Sequence, residues 1–173
     1  MSVPPLYAVV AFVALERLAE VIYAERNARA LRRRGAHEVA RVQHPFFVAL
    51  HLAWLLSMLL LVPASASVNW ILIGAYAALQ IARFWVVAAL GDRFTTRVIV
   101  LPGVPLVRGG PYRIMRHPNY AIVVLEIALL PCAFGAYSIA AIFSVLNAAL
   151  LWWRVRVEDQ ALSTYSRFPV AGS

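Results

Sequence analysis

Apolar residues run along this chain in long blocks, not at alternate positions or on a single helical stripe. Five blocks stand out, at about residues 4–23, 45–62, 69–90, 119–134 and 137–155. A helix needs roughly 20 mostly apolar residues to cross the hydrocarbon core of a bilayer. The fourth block is short, and such a span tilts little, thins the bilayer locally or sits partly inside the bundle. After the fifth block the pattern turns charged, and residues 154–165 read as a continuation of the same helix. The prediction is an all-α integral membrane bundle of five transmembrane helices.

Charge between the blocks orients them. Residues 24–44 carry Arg26, Arg29, Arg32, Arg33, Arg34 and Arg41 against Glu25 and Glu38. Residues 91–117 carry Arg93, Arg97, Arg108, Arg113 and Arg116 against Asp92 alone, and the tail carries Arg154, Arg156 and Arg167. The links at 63–68 and 131–138 carry no charge. Positive residues collect on the cytoplasmic side. The expected topology therefore has the N-terminus outside and the C-terminus cytoplasmic, which five spans satisfy and four or six do not.

Composition narrows the class further. Of 173 residues, 62% are hydrophobic and 14% charged, against roughly half and a quarter in soluble domains. A domain this small has too much surface to hide that much apolar matter. An ordinary soluble globule, a disordered chain and a disulfide scaffold are excluded. The net charge is +8, and all 16 basic residues are Arg. Because that charge lies between apolar blocks, it fits an anionic membrane face and not nucleic acid. The single cysteine, Cys132, excludes an internal disulfide and a Cys-rich metal site. No basic stretch precedes the first block, so that block is expected to stay in the protein. No repeat, dinucleotide fingerprint, phosphate loop or zinc-protease helix is present. One domain is expected over residues 1–168, with a disordered tail at 169–173.

Polar groups inside a membrane are costly and usually face a bundle interior or a wet cavity. Here they are Glu16, Arg17, Glu20, His51, Arg83 and Glu126. Glu16 and Glu20, four apart, share a helix face; they either snorkel to the interface or line a cavity. His51 fits a bond between helices better than a metal ligand, and no metal is expected. Arg83 either snorkels or pairs with Glu126 or Glu20.

The densest chemistry lies between Leu106 and Tyr120. Gly109 and Gly110 allow unusual backbone angles. Pro118 suits the first position of the fourth helix and pushes His117 toward extended geometry. Arg116 and His117 would then project at a helix N-terminus with free N–H groups, able to hold a carboxylate or to touch lipid headgroups. Further on, Asn147, Leu151, Arg154 and Glu158 are spaced by four, three and four, so they share one helical stripe. Arg154 and Glu158 could form an ion pair, with Asp159 as a further acceptor. Trp152 and Trp153 read as an interfacial anchor.

Arg116-His117-Pro118-Asn119-Tyr120, followed by Arg154-x-x-x-Glu158-Asp159, resembles the isoprenylcysteine carboxyl methyltransferase family of membrane enzymes. The overlap runs over residues 101–162, about a third of the chain, and that segment of the C-terminal half would form the cofactor and catalytic site. Ile122 stands where the family pattern often has Gly, and Asp159 replaces the usual second Glu. The stretch from Asn119 to Glu126 is more similar to the bacterial branch that methylates long-chain alkylpyrones. The resemblance implies S-adenosylmethionine as donor and S-adenosylhomocysteine as product. Leu106, Val107, Tyr112, Arg116, His117, Pro118, Tyr120, Glu158 and Asp159 would bind the donor. Arg154 and Glu158 would be catalytic, and Asn147, Arg154 and Glu126 would meet the acceptor. That acceptor would be a lipophilic small molecule or a prenylated one, reached at the cytoplasmic face of the bacterial inner membrane, with membrane lipids as neighbours and no nucleic acid as partner. The competing readings are an NADPH-dependent membrane reductase of the sterol type and a non-enzymatic membrane protein.

Overall fold

With no water in a bilayer core, a lone segment satisfies its backbone groups by coiling into a helix. The computed structural model follows that rule. It describes residues 3–39, 41–104 and 107–166, with side chains as far as residue 160. Its α-helices are α1 (Pro5–Arg33), α2 (His44–Leu61), α3 (Trp70–Leu90), α4 (Pro118–Ala133) and α5 (Tyr137–Ser166). Leu106 and the expected tail at 169–173 lie outside the described residues.

Among the described residues, three helical segments, Arg41–Leu61, Trp70–Arg93 and Tyr137–Gln160, are long and apolar enough to cross a membrane. Helix α4 is apolar but shorter. The apolar run of helix α1 is interrupted by Glu16, Arg17 and Glu20, and the helix extends ten residues past its apolar block. The extension is made of Ala, Glu, Arg, Leu and one Asn, mostly strong helix formers. At 1.5 Å per residue, 29 residues reach about 44 Å, more than the roughly 30 Å of a hydrocarbon core.

Helix ends are chemically specified. Asn69 opens α3 by accepting from the Ile71 and Leu72 N–H groups at 3.1 and 3.2 Å, a side-chain cap. Its own N–H donates to the Ala133 carbonyl at 2.8 Å, joining the two uncharged links. Helix α4 ends at Gly135, whose φ of +70° is the left-handed stop that suits glycine. The Ala136 N–H then donates back to Pro131 at 2.9 Å.

Helix α4 packs between α3 and α5, and α2 lies against α5. The core joins Val10 and Val13 of α1, Trp54 and Met58 of α2, Tyr76 of α3, Ile127 and Leu130 of α4, and Phe143 of α5. Ile71, Ile81 and Phe84 point outward, as apolar side chains do when lipid is the solvent.

The all-α expectation needs one correction. Strand β1 (His37–Val39) pairs antiparallel with β2 (Val98–Val100), Glu38 opposite Ile99. Val98, Ile99 and Val100 are β-branched and favour extended backbone.

Candidate active site

Pro118 begins α4, where its fixed φ suits the helix and its missing N–H is not needed. His117 stays outside the helix at φ −127°, ψ 61°, as the residue before a proline tends to. Tyr120 follows one turn in. Its hydroxyl donates to Glu158 Oε2 at 2.5 Å and accepts from Arg154 Nε at 3.0 Å. Arg154 Nη2 donates to the Thr96 carbonyl at 2.8 Å, and the guanidinium lies 5.2 Å over the Phe47 ring, a cation–π distance. Only 7% of Arg154 is exposed. The His117 ring stacks on Tyr120, 5.1 Å between centroids and 8° between planes. His117 Nε2 is 4.0 Å from Asp159 Oδ1.

The two motifs therefore meet, but differently from the expected Arg154–Glu158 ion pair. The Arg154 Nε is given to Tyr120 and its Nη2 to Thr96. The Glu158 carboxylate is reached through the phenol.

Tyr112 lies near the same carboxylate. Burial, and then the Glu158 charge, push its phenol up to about 12. Tyr112 belongs to a 3₁₀ turn, Gly110–Arg113, that presses on the last turns of α3. At Gly110, with φ +57°, an added Cβ would stand 3.1 Å from Ala89 Cβ and 3.3 Å from Trp85 Nε1. Arg116 is exposed and Val107 half-buried. Asn147, two turns before Arg154 on the α5 stripe, is 0% exposed, and neither amide atom has a hydrogen-bond partner among the described residues. Gln43 of the segment before α2 donates to the Trp153 carbonyl at 3.4 Å.

The chain that carries Thr96 is itself clamped. Asn27 donates to the Gly91 and Phe94 carbonyls at 3.1 and 3.0 Å. Glu38, its side chain 2% exposed, accepts from Arg32 at 2.7 Å and Arg97 at 3.0 Å. Burial alone would raise the Glu38 carboxyl, but Arg97 and then Arg32 hold it below its ordinary value. The clamp fixes the residues flanking Thr96.

A second polar cluster sits within the bundle. Arg83 of α3, 3% exposed, grips both carboxylate oxygens of Glu126, with Nε 2.9 Å from Oε1. Gln80 donates to Glu126 at 3.0 Å. Arg83 Nη1 also reaches Glu20 at 3.4 Å and Asn119 Oδ1 at 3.3 Å. Arg17 adds bonds to Glu20 at 2.8 Å and to Glu126 at 3.4 Å. The alternatives for Arg83 resolve: it pairs with both carboxylates. Glu16 and Glu20 face this cluster, and Glu126 lies in it, away from the Tyr120–Arg154 corner. The His51 Nδ1–H donates to the Phe47 carbonyl at 2.8 Å, so among the described residues the histidine bonds within its own helix and not, as expected, to another.

Of the expected site residues, His117, Tyr120, Arg154, Glu158 and Asp159 come together. Thr96 and Phe47 were not foreseen. Thr96 contributes only a backbone carbonyl, which leaves no mark in side-chain chemistry, and Phe47 sits in an apolar block where nothing distinguishes it.

A family model described as "Isoprenylcysteine carboxyl methyltransferase (ICMT) family" matches residues 71–164. The chain belongs to that family. The matched stretch covers α4 and nearly all of α3 and α5, and it contains Tyr120, Arg154 and Glu158. The uncharacterized protein YpbQ of Bacillus subtilis (strain 168) is 39% identical over 161 residues, which span 91% of this chain and 96% of that protein. No solved structure matches the chain. Membership makes this an integral membrane protein of a methyltransferase family, whose enzymes generally use S-adenosylmethionine.

Proposed function

We propose that the protein moves a methyl group from S-adenosylmethionine to an oxygen, carboxylate or enol, of a lipophilic acceptor at the cytoplasmic face of the bacterial inner membrane. Five spans carry the site, with the N-terminus outside. The reading rests on the Arg154–Tyr120–Glu158 chain of hydrogen bonds, which joins the family's two motifs into one corner where a charged face of the bundle meets its apolar body.

The corner has the donor's complements. Its exposed Arg116 guanidinium suits an amino-acid carboxylate. The stacked His117 and Tyr120 rings suit a flat base. Glu158 and Asp159 suit ribose hydroxyls, and Val107, Pro118 and Tyr112 would supply the wall. The donor brings an activated methyl on a cationic sulfur, and its transfer breaks one carbon–sulfur bond as one carbon–oxygen bond forms.

What remains for the protein is orientation, which can contribute roughly 7–11 kcal/mol for well-placed reactants. Arg154 is always charged, and its planar fork can grip an oxygen anion. A carboxylate acceptor is already ionised at neutral pH and needs no base; an enol would be favoured as its anion beside a guanidinium. Because Tyr120 and Thr96 hold Arg154, its position is set before an acceptor arrives. Glu158 is committed to the Tyr120 hydroxyl, so it acts as an anchor and not as a general base. The Asn147 amide, buried without partners among the described residues, costs stability where it stands. A polar atom of the acceptor would relieve that cost.

The test is a thermal-shift titration of detergent-solubilised protein with S-adenosylhomocysteine and with NADPH. Stabilisation by the first alone is expected. Stabilisation by NADPH alone would favour a reductase, and no shift with either would overturn the methyltransferase reading.

A further inference from the structure

A buried ion cluster is weak evidence for stability, because desolvation offsets most of its attraction and apolar replacements are often as stable. It does fix rotation, since a forked guanidinium accepts partners only in its own plane. Arg83 holds α4 at two points seven residues apart: Glu126 through Nε and Nη2, and Asn119 through Nη1. Residues seven apart lie on one helix face, so both grips fall on the same side of α4. Glu20 of α1 holds the same Nη1 at 3.4 Å. Asn119 sits between Pro118 and Tyr120, in the middle of the corner that meets Arg154 and Glu158. One side chain therefore touches the intramembrane cluster while its neighbour carries the proposed site's central hydroxyl.

We infer that Arg83 and Asn119 are positioning residues: the buried cluster of α1, α3 and α4 sets the rotation of the α4 N-terminus, and so presents His117 and Tyr120 to the donor. This rests on the donor reading given above. It assigns a task to polar groups that neither methyl transfer nor helix packing otherwise requires.

The experiment is calorimetric titration of the purified full chain with S-adenosylhomocysteine, alongside melting of the ligand-free protein. Asn119→Ala is expected to weaken binding about tenfold or more, with little change in the ligand-free melting midpoint. Asn119→Asp keeps an oxygen facing Arg83 and should restore most of the affinity. Arg83→Lys keeps the charge without the fork and should weaken binding to a similar degree. Because Arg83→Lys already disrupts the bond to Asn119, adding Asn119→Ala should weaken binding no further than Arg83→Lys alone. Unchanged affinity in Asn119→Ala would overturn the inference. So would additive losses, which would mean that Asn119 touches the donor itself, or a matching drop in the ligand-free melting midpoint. Absence of binding by the wild-type chain would instead remove the donor reading on which the inference stands.

Discussion

The Tyr120 hydroxyl accepts from Arg154 and donates to Glu158, so removing one oxygen atom breaks two bonds to charged groups. Such bonds contribute about 1.5–3 kcal/mol each. Tyr120→Phe is expected to lower turnover roughly ten- to hundredfold with the helical circular-dichroism spectrum unchanged. Wild-type rates in that variant would show that Arg154 and Glu158 work independently. Gly110 is exacting for a different reason. An added Cβ would crowd Ala89 and Trp85, which would have to give by a few tenths of an ångström, and at its positive φ left-handed backbone costs other residues about 1–2 kcal/mol. Gly110→Ala should lower the melting midpoint, and an unchanged midpoint would mean the turn relaxes freely. At this scale the sequence was informative about residue types: Arg116–Tyr120 and Arg154–Glu158 declare their chemistry through side chains and spacing. It was silent on which atoms meet, because a phenol placed between a guanidinium and a carboxylate depends on how two helices far apart in sequence are rotated.

Among the elements, β1 and β2 are too short to stand alone. Glu38 holds them through Arg32 and Arg97. Its carboxyl lies below the ordinary value of 4.5 in the folded protein. Its contribution is therefore complete above that value and disappears as pH falls through the lower folded-state value. Glu38→Gln should lower the melting midpoint at pH 7, and the gap from wild type should close as both are acidified. A gap that persists or widens at low pH would contradict the charge-based role. Helix edges were legible because hydropathy changes within a few residues there. The ribbon was not, because it joins segments some sixty residues apart through three-residue strands with no alternation to read. The length of α1 was also missed, since Ala- and Arg-rich sequence is as consistent with a polar loop as with a continued helix.

Among the described residues, three polar groupings stand out across the whole molecule: an outer corner of α4 and α5, the Glu38 clamp between α1 and β2, and a buried cluster joining α1, α3 and α4. The buried cluster explains why α1 is less apolar than the other long helices. Its charged residues face partners, not lipid, as intramembrane charges must. Removing one partner leaves an uncompensated charge, so Glu126→Leu is expected to destabilise the protein by about 3–5 kcal/mol. Arg83→Met in the same chain should recover part of that. Denaturant titration in detergent micelles checks both, and equal stability of Glu126→Leu and wild type would mean Arg83 finds other partners. The proposed methyl transfer takes place at the corner. The most direct measurement is transfer of a radiolabelled methyl group from S-adenosylmethionine by purified protein, offered a long-chain alkylpyrone, a prenylcysteine and phosphatidylethanolamine in parallel. Label should pass to an oxygen acid among them, and Glu158→Ala and Arg154→Ala should each lose most of that transfer while remaining folded. Undiminished transfer by the Glu158→Ala protein, or no transfer by the wild type to any of the three, would contradict the assignment.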